Sequence, residues 1–243
     1  MSIPTLLGVV FLVALWGICV VIIGNGYLIV SPWETAKAAV QVLGTAAFYE
    51  AFVATLLRAF LVTLLSTVLA LPLAGLAVAM PKFAAFFTPI IATLRALPTL
   101  AVLLALHLAF GEDGATVAVG VTAVLPMLYT NIYNAILGVD EKTLEVCRAY
   151  RVPFARRLTG VYLPHALPKV VSGLGAAVSF ALKIIVSAEI LCATANSLGG
   201  MMQEAKLISL ATLAALTVFV CIVGVAVEAL TAWIARRLGE KFL

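Results

Sequence analysis

Charged residues are scarce in this sequence, and residues 1–33 contain none at all. Only 11% of the 243 residues are charged and 64% are hydrophobic, whereas a soluble domain has about a quarter of its residues charged. This composition excludes a soluble globular protein and is typical of an integral membrane protein. Because lipid offers no partner to backbone polar groups, we expect an all-α fold.

Residues that build disulfides, metal sites and active sites are also few. The four cysteines show no pairing or metal-ligand spacing, and three lie in or beside apolar segments, where cysteine behaves as a small hydrophobic residue. His107 and His165 are the only histidines, and neither belongs to a hydrolase-like Ser/His/Asp arrangement. No Walker-type glycine loop is present. We therefore predict that the chain is not an enzyme and binds no metal or nucleotide itself.

Long apolar runs dominate the sequence instead. A membrane-spanning helix needs about 20 apolar residues. Six segments meet this requirement, at residues 3–23, 55–80, 84–109, 115–138, 166–191 and 207–235. Six spans put both termini on one side of the membrane. The basic residues concentrate in alternate connections, so the positive-inside rule places the termini in the cytoplasm.

Local signals mark the ends of these spans. Ser31 and Pro32 predict the cap and first turn of a surface helix before the second span. Arg58 lies near the predicted start of that span, where its long side chain can extend to water. Pro98 predicts a kink in the third span. Residues 192–206 are too polar and glycine-rich to span, and we expect a turn followed by a short non-spanning piece.

The longest polar run, residues 139–164, separates the fourth and fifth spans. It contains five of the fifteen basic residues, namely Lys142, Arg148, Arg151, Arg156 and Arg157. Asp140 can cap a helix over 141–151, and Pro153 can begin a second helix over 153–160 that ends at Gly160.

The second helix of this loop would present an apolar ridge. Phe154, Leu158 and Val161 follow the i, i+4, i+7 spacing, with Arg156 and Arg157 beside them. An apolar ridge with basic flanks suits docking into a groove on a cytoplasmic partner. The alternative is that the basic residues only satisfy the positive-inside rule.

The spacing within the loop resembles the EAA motif of ATP-binding-cassette (ABC) importer permeases. That motif reads E-A-A, three residues, G, nine residues, and I-x-L-P. The E-A-A positions are occupied by Glu145-Val146-Cys147, the glycine position by Arg151, and the I-x-L-P positions by Val161-Tyr162-Leu163-Pro164. The spacing matches throughout, while both alanines and the glycine are replaced.

The resemblance implies that this loop inserts into a cleft of a cytoplasmic ATPase subunit. The residues expected to couple the two proteins are Glu145, Cys147, Arg151, Phe154, Arg156, Arg157, Leu158, Val161, Leu163 and Pro164. Arg151 could instead make a specific polar contact with the ATPase. ATP and Mg²⁺ would lie on the ATPase, and this chain would carry no cofactor.

The family also implies an architecture and partners. We expect a single transmembrane permease domain over residues 1–243, with six spans in the type I importer fold. It would pair with a second permease copy, identical or homologous, and receive solute from an extracytoplasmic solute-binding protein. No nucleic-acid partner is expected.

Further segments resemble the nitrate/sulfonate/taurine-type branch of these permeases. They include Leu94-Arg95-Ala96-Leu97-Pro98, Ser172-Gly173-Leu174 and Leu198-Gly199-Gly200. Permeases of this branch carry nitrate, sulfonates or vitamin precursors. The resemblance thus implies import of a small polar organic solute or oxyanion across the bacterial inner membrane by alternating access.

Ionisable residues inside the spans are the candidates for the translocation pathway, because such groups usually face a water-filled cavity or a partner. Lys183 could attract an anionic solute, or it could only fix helix packing. Glu189, near the outer end of the fifth span, could contact substrate, act as a gate or fix the following loop. The two are six residues apart, about 240° around a helix, so we do not expect them to pair.

Three further residues complete the set of pathway candidates: Arg95, Asn131 and Asn134. The asparagines could equally join helices to each other. Two other functions remain open from the residues alone. One is a secondary transporter driven by an ion gradient, with Lys183 and Glu189 as coupling residues, and the other is a non-transporting scaffold. Neither has a use for a basic docking loop.

Overall fold

The computed structural model describes residues 3–24 and 30–242, and these residues form helices with no β-strand. The helices are α1 (Ile3–Ile23), α2 (Pro32–Leu43), α3 (Ala46–Ala79), α4 (Pro81–Ala96), α5 (Thr99–Leu137), α6 (Glu141–Ala149), α7 (Phe154–Arg157), α8 (Leu163–Cys192), α9 (Leu198–Ile208) and α10 (Leu210–Phe242). A π-helical turn, Leu158–Tyr162, joins α7 to α8. The predicted all-α fold class is confirmed.

Four helical segments are long and apolar enough to cross a membrane, namely Ala46–Ala79, Thr99–Leu137, Thr159–Cys192 and Leu210–Glu240. A shorter apolar stretch, Val10–Ile23, lies in α1. α1, α3, α8 and α10 lie at the predicted first, second, fifth and sixth spans, and α5 covers parts of the third and fourth. Length and composition of the described helices thus support four spans directly rather than six.

Gly111 divides α5 into two segments. Its backbone (φ 69°, ψ −170°) is non-helical and lies in a region open to glycine. Leu103 and Ala115 nevertheless pack in one buried cluster with Ala188 and Cys192 of α8. A straight helix would hold Leu103 and Ala115 about 18 Å apart along its axis. The chain therefore changes direction at Gly111, where the predicted third and fourth spans meet.

The third predicted span also contains the expected kink. Leu97 and Pro98 are extended, with ψ of 130° and 109°, so α4 ends at Ala96 and α5 begins at Thr99. Pro98 has no N–H to continue the helix, which is the physical reason for the break.

α3 begins earlier than the predicted second span, at Ala46 rather than near residue 55. Arg58 therefore lies about three turns inside the helix, and its side chain is only 19% exposed. Its guanidinium bonds to carboxylates of other helices, one of them buried and one exposed, as described below.

α2 begins with the predicted cap. Ser31 Oγ accepts a hydrogen bond from Glu34 N at 3.2 Å, and Glu34 Oε2 accepts one from Ser31 N at 3.3 Å. Pro32 occupies the first turn, where a missing N–H has no cost. This capping box satisfies free N–H groups at the start of the helix.

α8 is the central helix and packs against α3, α5, α9 and α10. Two glycines allow close approach, since a Cβ on Gly173 would overlap Asn131 of α5 and a Cβ on Gly175 would overlap Thr231 of α10. Small residues commonly let membrane helices approach in this way.

The segment after α8 forms the predicted turn and short helix. Ala193 and Asn196 adopt left-handed backbone, with φ of 50° and 47°. Ser197 then caps α9, its Oγ accepting from Gly200 N at 2.9 Å. We call this end of the bundle the outer end, and the end with residues 139–164 the loop end.

Candidate functional site

The loop between α5 and α8 starts with a capped helix, as predicted. Asp140 Oδ2 accepts hydrogen bonds from Thr143 N and Thr143 Oγ1, both at 3.3 Å. Glu141 occupies the first turn of α6, where negative charge is favourable. α6 is two residues shorter than the predicted 141–151, because its last turn closes into a C-terminal cap.

Arg151 forms that cap in a left-handed conformation, with φ of 49°. Val152 N donates to Cys147 O at 2.9 Å, and Arg151 N donates to Arg148 O at 3.0 Å. This pair of hydrogen bonds is a Schellman motif, whose left-handed position usually holds glycine. Arg151 thus adopts the backbone geometry that glycine would provide at this motif position, and the replacement preserves the turn.

The second half of the loop is not a separate helix. α7 continues through the π-helical turn into α8, so the predicted helix end at Gly160 is wrong. Pro164 lies inside this continuous helix, directly after the π-helical turn, and lacks the N–H that would otherwise bond to a preceding carbonyl. The side chains of Phe154 and Leu158 in the predicted ridge lie outside the described residues, and Val161 is half-buried.

α6 presents an exposed apolar surface on this polar loop. Val146 is 56% exposed and Tyr150 is 80% exposed, and residues four apart lie on one helix face. Glu145, Arg148 and Arg151 are also exposed. Val146 and Tyr150 thus form an exposed apolar pair on the most polar segment of the chain. The sequence analysis missed Val146 and Tyr150, although their spacing was a readable signal.

The remaining predicted coupling residues occupy different environments. Leu163 and Arg156 are exposed, whereas Arg157 and Pro164 are half-buried. Cys147 is only 9% exposed. Its side chain therefore packs against the rest of the loop end and is not accessible to a partner protein.

A buried ionic cluster lies at the outer end of α8. Glu189 is fully buried and accepts hydrogen bonds from Arg58 Nη1 at 3.0 Å, Thr55 Oγ1 at 2.9 Å and Gly199 N at 3.1 Å. Arg58 Nη2 also donates to Asp113 Oδ1 at 2.8 Å. The cluster thereby joins α3, α5, α8 and α9. Such donors offset the large cost of burying a carboxylate.

The first turn of α9 lies directly against this carboxylate. A Cβ on Gly199 would approach Val186 O and Ile190 N of α8 to 2.7 Å, so only glycine fits without movement. Leu198 N donates to Thr55 Oγ1 at 2.9 Å. The start of a helix favours negative charge, and Glu189 provides it.

Glu189 thus fixes the turn between α8 and α9, which is one of the roles left open by the sequence. Its carboxylate has no exposed surface in this structure, and its place on the translocation path stays a prediction. Its partner is Arg58 rather than Lys183, in agreement with the helix geometry.

Lys183 lies on a different face of α8. It is exposed, and Ser187 and Leu191 follow on the same face. No described residue forms an ion pair with Lys183, so the proposed role in helix packing through an ion pair has no support among them.

The other pathway candidates are dispersed. Arg95, in the last turn of α4, and Asn134 of α5 are exposed, whereas Asn131 is half-buried against Gly173. Asn131 lines a cavity between α5, α8 and α10, and Lys183, Arg95 and Asn134 do not line that cavity.

The comparisons with known proteins identify the family. The family model of the binding-protein-dependent transport system inner membrane component matches residues 66–240, more than two thirds of the chain. The chain belongs to this family. It is accordingly a multi-pass inner-membrane protein and the permease subunit of an ABC importer.

A curated relative and solved structures agree with this assignment. The putative aliphatic sulfonates transport permease protein SsuC of Bacillus subtilis (strain 168) is 31% identical over 123 residues. That match covers 50% of this chain and 44% of SsuC, so the chain matches less than half of the length of SsuC.

Two solved structures share the fold of this ABC permease. The crystal structure of an amino acid ABC transporter with histidines has a TM-score of 0.70 at 18% identity, covering 81% of this chain and 96% of that chain. The inward-facing MetNI methionine ABC transporter has a TM-score of 0.66 at 18% identity, covering 76% of this chain and 92% of that chain. These likenesses confirm the predicted permease fold.

The Arg151 cap leads to a first prediction. Arg151→Gly should keep the Schellman hydrogen bonds, because glycine adopts left-handed backbone readily. Arg151→Val should break them, because a β-branched side chain clashes in that conformation more than the unbranched Arg151 side chain does. Hydrogen exchange of the backbone amides in residues 147–153 measures this directly. Equal protection loss in the two variants would show that the arginine side chain, not the backbone geometry, maintains the turn.

The buried ion pair leads to a second prediction. Glu189→Gln should lower the free energy of unfolding by about 3–5 kcal/mol, because it leaves the Arg58 charge poorly compensated. Thermal unfolding of the purified protein in detergent measures the change. Glu50→Gln is the matched control, since Glu50 is exposed and has no ion pair with a described residue.

A double-mutant cycle tests whether the pair acts directly. Arg58→Gln combined with Glu189→Gln should cost less than the sum of the two single changes, because each single change leaves one charge without its partner. Additive costs would contradict a direct ion pair.

Proposed function

We propose that this permease works as one half of an ATP-driven importer, with its 139–164 loop docked on a separate ATPase subunit. The observation that carries the proposal is the exposed apolar pair Val146 and Tyr150, on a loop with the EAA spacing. Tyrosine is enriched among the few residues that dominate the binding energy of interfaces. ATP and Mg²⁺ would bind the ATPase, so this chain would carry out no bond chemistry.

The continuous helix from α7 through α8 supports a mechanical role for the loop. It runs from Phe154 to Cys192 and contains both Lys183 and Glu189. Movement of the docked loop would therefore reach the outer end through one rigid element, where Glu189 joins α8 to α3 and α9. Such rigid-body movement is a common basis of alternating access.

The solute we propose is a small oxyanion or polar organic molecule, with aliphatic sulfonates as the first class to test. The name of the Bacillus subtilis relative supports this choice. Lys183 supports it physically, since its exposed ammonium lies well inside α8. A second permease copy related by a two-fold axis would add a second such charge. An extracytoplasmic solute-binding protein would deliver the solute.

The secondary-transporter alternative is less well supported. It requires Lys183 and Glu189 to act together as coupling residues on one path. Glu189 is instead fully buried and bonded to Arg58, Thr55 and Gly199.

Co-purification tests the coupling loop. Tagged wild-type chain should recover an ATPase with Walker motifs, identified by mass spectrometry, and a Val146→Arg/Tyr150→Arg variant should lose it. Loss of a central contact of about 2 kcal/mol or more corresponds to at least a 30-fold weaker complex. Tyr49→Arg is the control, because Tyr49 is 54% exposed at the outer end. Absence of an ATPase with wild type, under conditions that preserve complexes, would contradict the proposal.

Uptake measurements test Lys183. In vesicles containing the complete transporter, Lys183→Met should reduce uptake of a labelled aliphatic sulfonate about tenfold or more, the effect of losing about 1.4 kcal/mol of interaction. ATPase recovery should stay at the wild-type level. Lys206→Met, at an exposed lysine of α9, is the control. Unchanged uptake in Lys183→Met would refute the proposed role of this residue.

A further inference from the structure

A basic cavity of about 550 Å³ lies between α5, α8 and α10 at the loop end. Lys169 and Arg236 provide its charges, and Ser172 and Asn131 provide further polar groups. No carboxylate lines it. A cavity at the outer end has the opposite character, with Glu50 and Glu204 in its lining. The loop-end cavity is therefore suited to an anion.

The polar groups of this cavity have unused hydrogen-bonding capacity. Lys169 Nζ lies 2.8 Å from His165 Nε2, and an ammonium has three donors, so two remain. Arg236 forms no ion pair with a described residue. Asn131 Oδ1 is buried without a hydrogen-bond partner among the described residues, and buried polar atoms usually have such a partner in the protein, in water or in a ligand.

Trp233 indicates how deep the cavity lies in the membrane. This side chain is 52% exposed on α10 and lies 5.4 Å from the Arg237 guanidinium. Tryptophan is enriched at the level of the lipid head groups. Arg236 follows Trp233 within one helical turn, so its charge lies at that level.

The cavity continues toward the membrane interior with small apolar walls. Ala176 of α8 and Ala232 of α10 lie about one to two turns deeper than Lys169 and Arg236. Basic groups at head-group level above an apolar wall match the shape of a phospholipid, with phosphate at the mouth and an acyl chain beneath it.

We propose that this cavity binds the phosphate head group of an anionic phospholipid from the adjacent leaflet. Basic pockets between membrane helices are known to accept such head groups. The bound phosphate would bridge Lys169 of α8 and Arg236 of α10, and so stabilise the packing of these helices beside the loop. A soluble phosphate or sulfonate shares the charge, but it would not use the apolar wall.

Lipid retention tests the proposal. The transporter complex is assembled in nanodiscs with phosphatidylcholine and phosphatidylglycerol, exchanged into detergent, and analysed for bound lipid by mass spectrometry. Wild type should retain phosphatidylglycerol preferentially. Lys169→Gln/Arg236→Gln should reduce that preference about 30-fold, since each basic residue near an anionic surface contributes roughly a fivefold factor.

Matched variants keep the result interpretable. Lys82→Gln/Lys206→Gln removes the same charge from exposed positions outside the cavity and should leave retention unchanged. Lys169→Arg/Arg236→Lys keeps the charge and should retain the lipid. The single variants Lys169→Gln and Arg236→Gln, each expected to lose about fivefold, replace the double variant if it does not fold.

Two results would overturn the proposal. One is equal phosphatidylglycerol retention in the cavity variant and its charge-matched control. The other is thermal stabilisation of the lipid-free protein by inorganic phosphate or methanesulfonate, dependent on Lys169 and Arg236, without any preference for phosphatidylglycerol. The second result would assign the cavity to a soluble anion.

Discussion

One buried ion pair, Glu189 with Arg58, organises the outer end of this permease. A carboxylate with no exposed surface is costly in a membrane protein unless it is paired and hydrogen-bonded. Arg58, Thr55 and Gly199 satisfy that requirement from α3 and α9, while Arg58 also reaches Asp113 of α5. Four helices that are distant in sequence therefore meet at this point. The hydrogen bond from Gly199 to Glu189 fixes the position of the short helix α9.

The loop end differs, because the side chains of α6 are mostly exposed instead of buried and paired. α6 carries exposed apolar side chains and basic residues, and we propose that this surface docks on the ATPase. The two ends are joined by the continuous helix from Phe154 to Cys192. In the function proposed above, this helix would transmit movement of the loop to the ionic cluster, because packed helices shift as units.

Local rules predicted local structure well. The cap at Ser31, the cap at Asp140 and the break at Pro98 each depend on residues within one helical turn, so sequence reasoning located them. The boundary of α3 and the separate helix expected over 153–160 were wrong. α3 starts earlier because Phe48 packs on Phe219 of α10, a tertiary contact that apolarity alone does not report. The second helix of the loop continues past Gly160 through a π-helical turn, which the positions of glycine and proline do not report.

The sequence by itself determined the membrane class, the helical fold and the EAA-type spacing of the loop, because composition and short-range periodicity follow directly from lipid and helix geometry. Only the tertiary structure decided that Glu189 pairs with Arg58, that Arg151 takes the left-handed position, and that Cys147 points inward. Those outcomes depend on which side chains meet across the bundle and on backbone angles. Neither is encoded in the spacing of one segment, since the partners of Glu189 lie as much as 134 residues away.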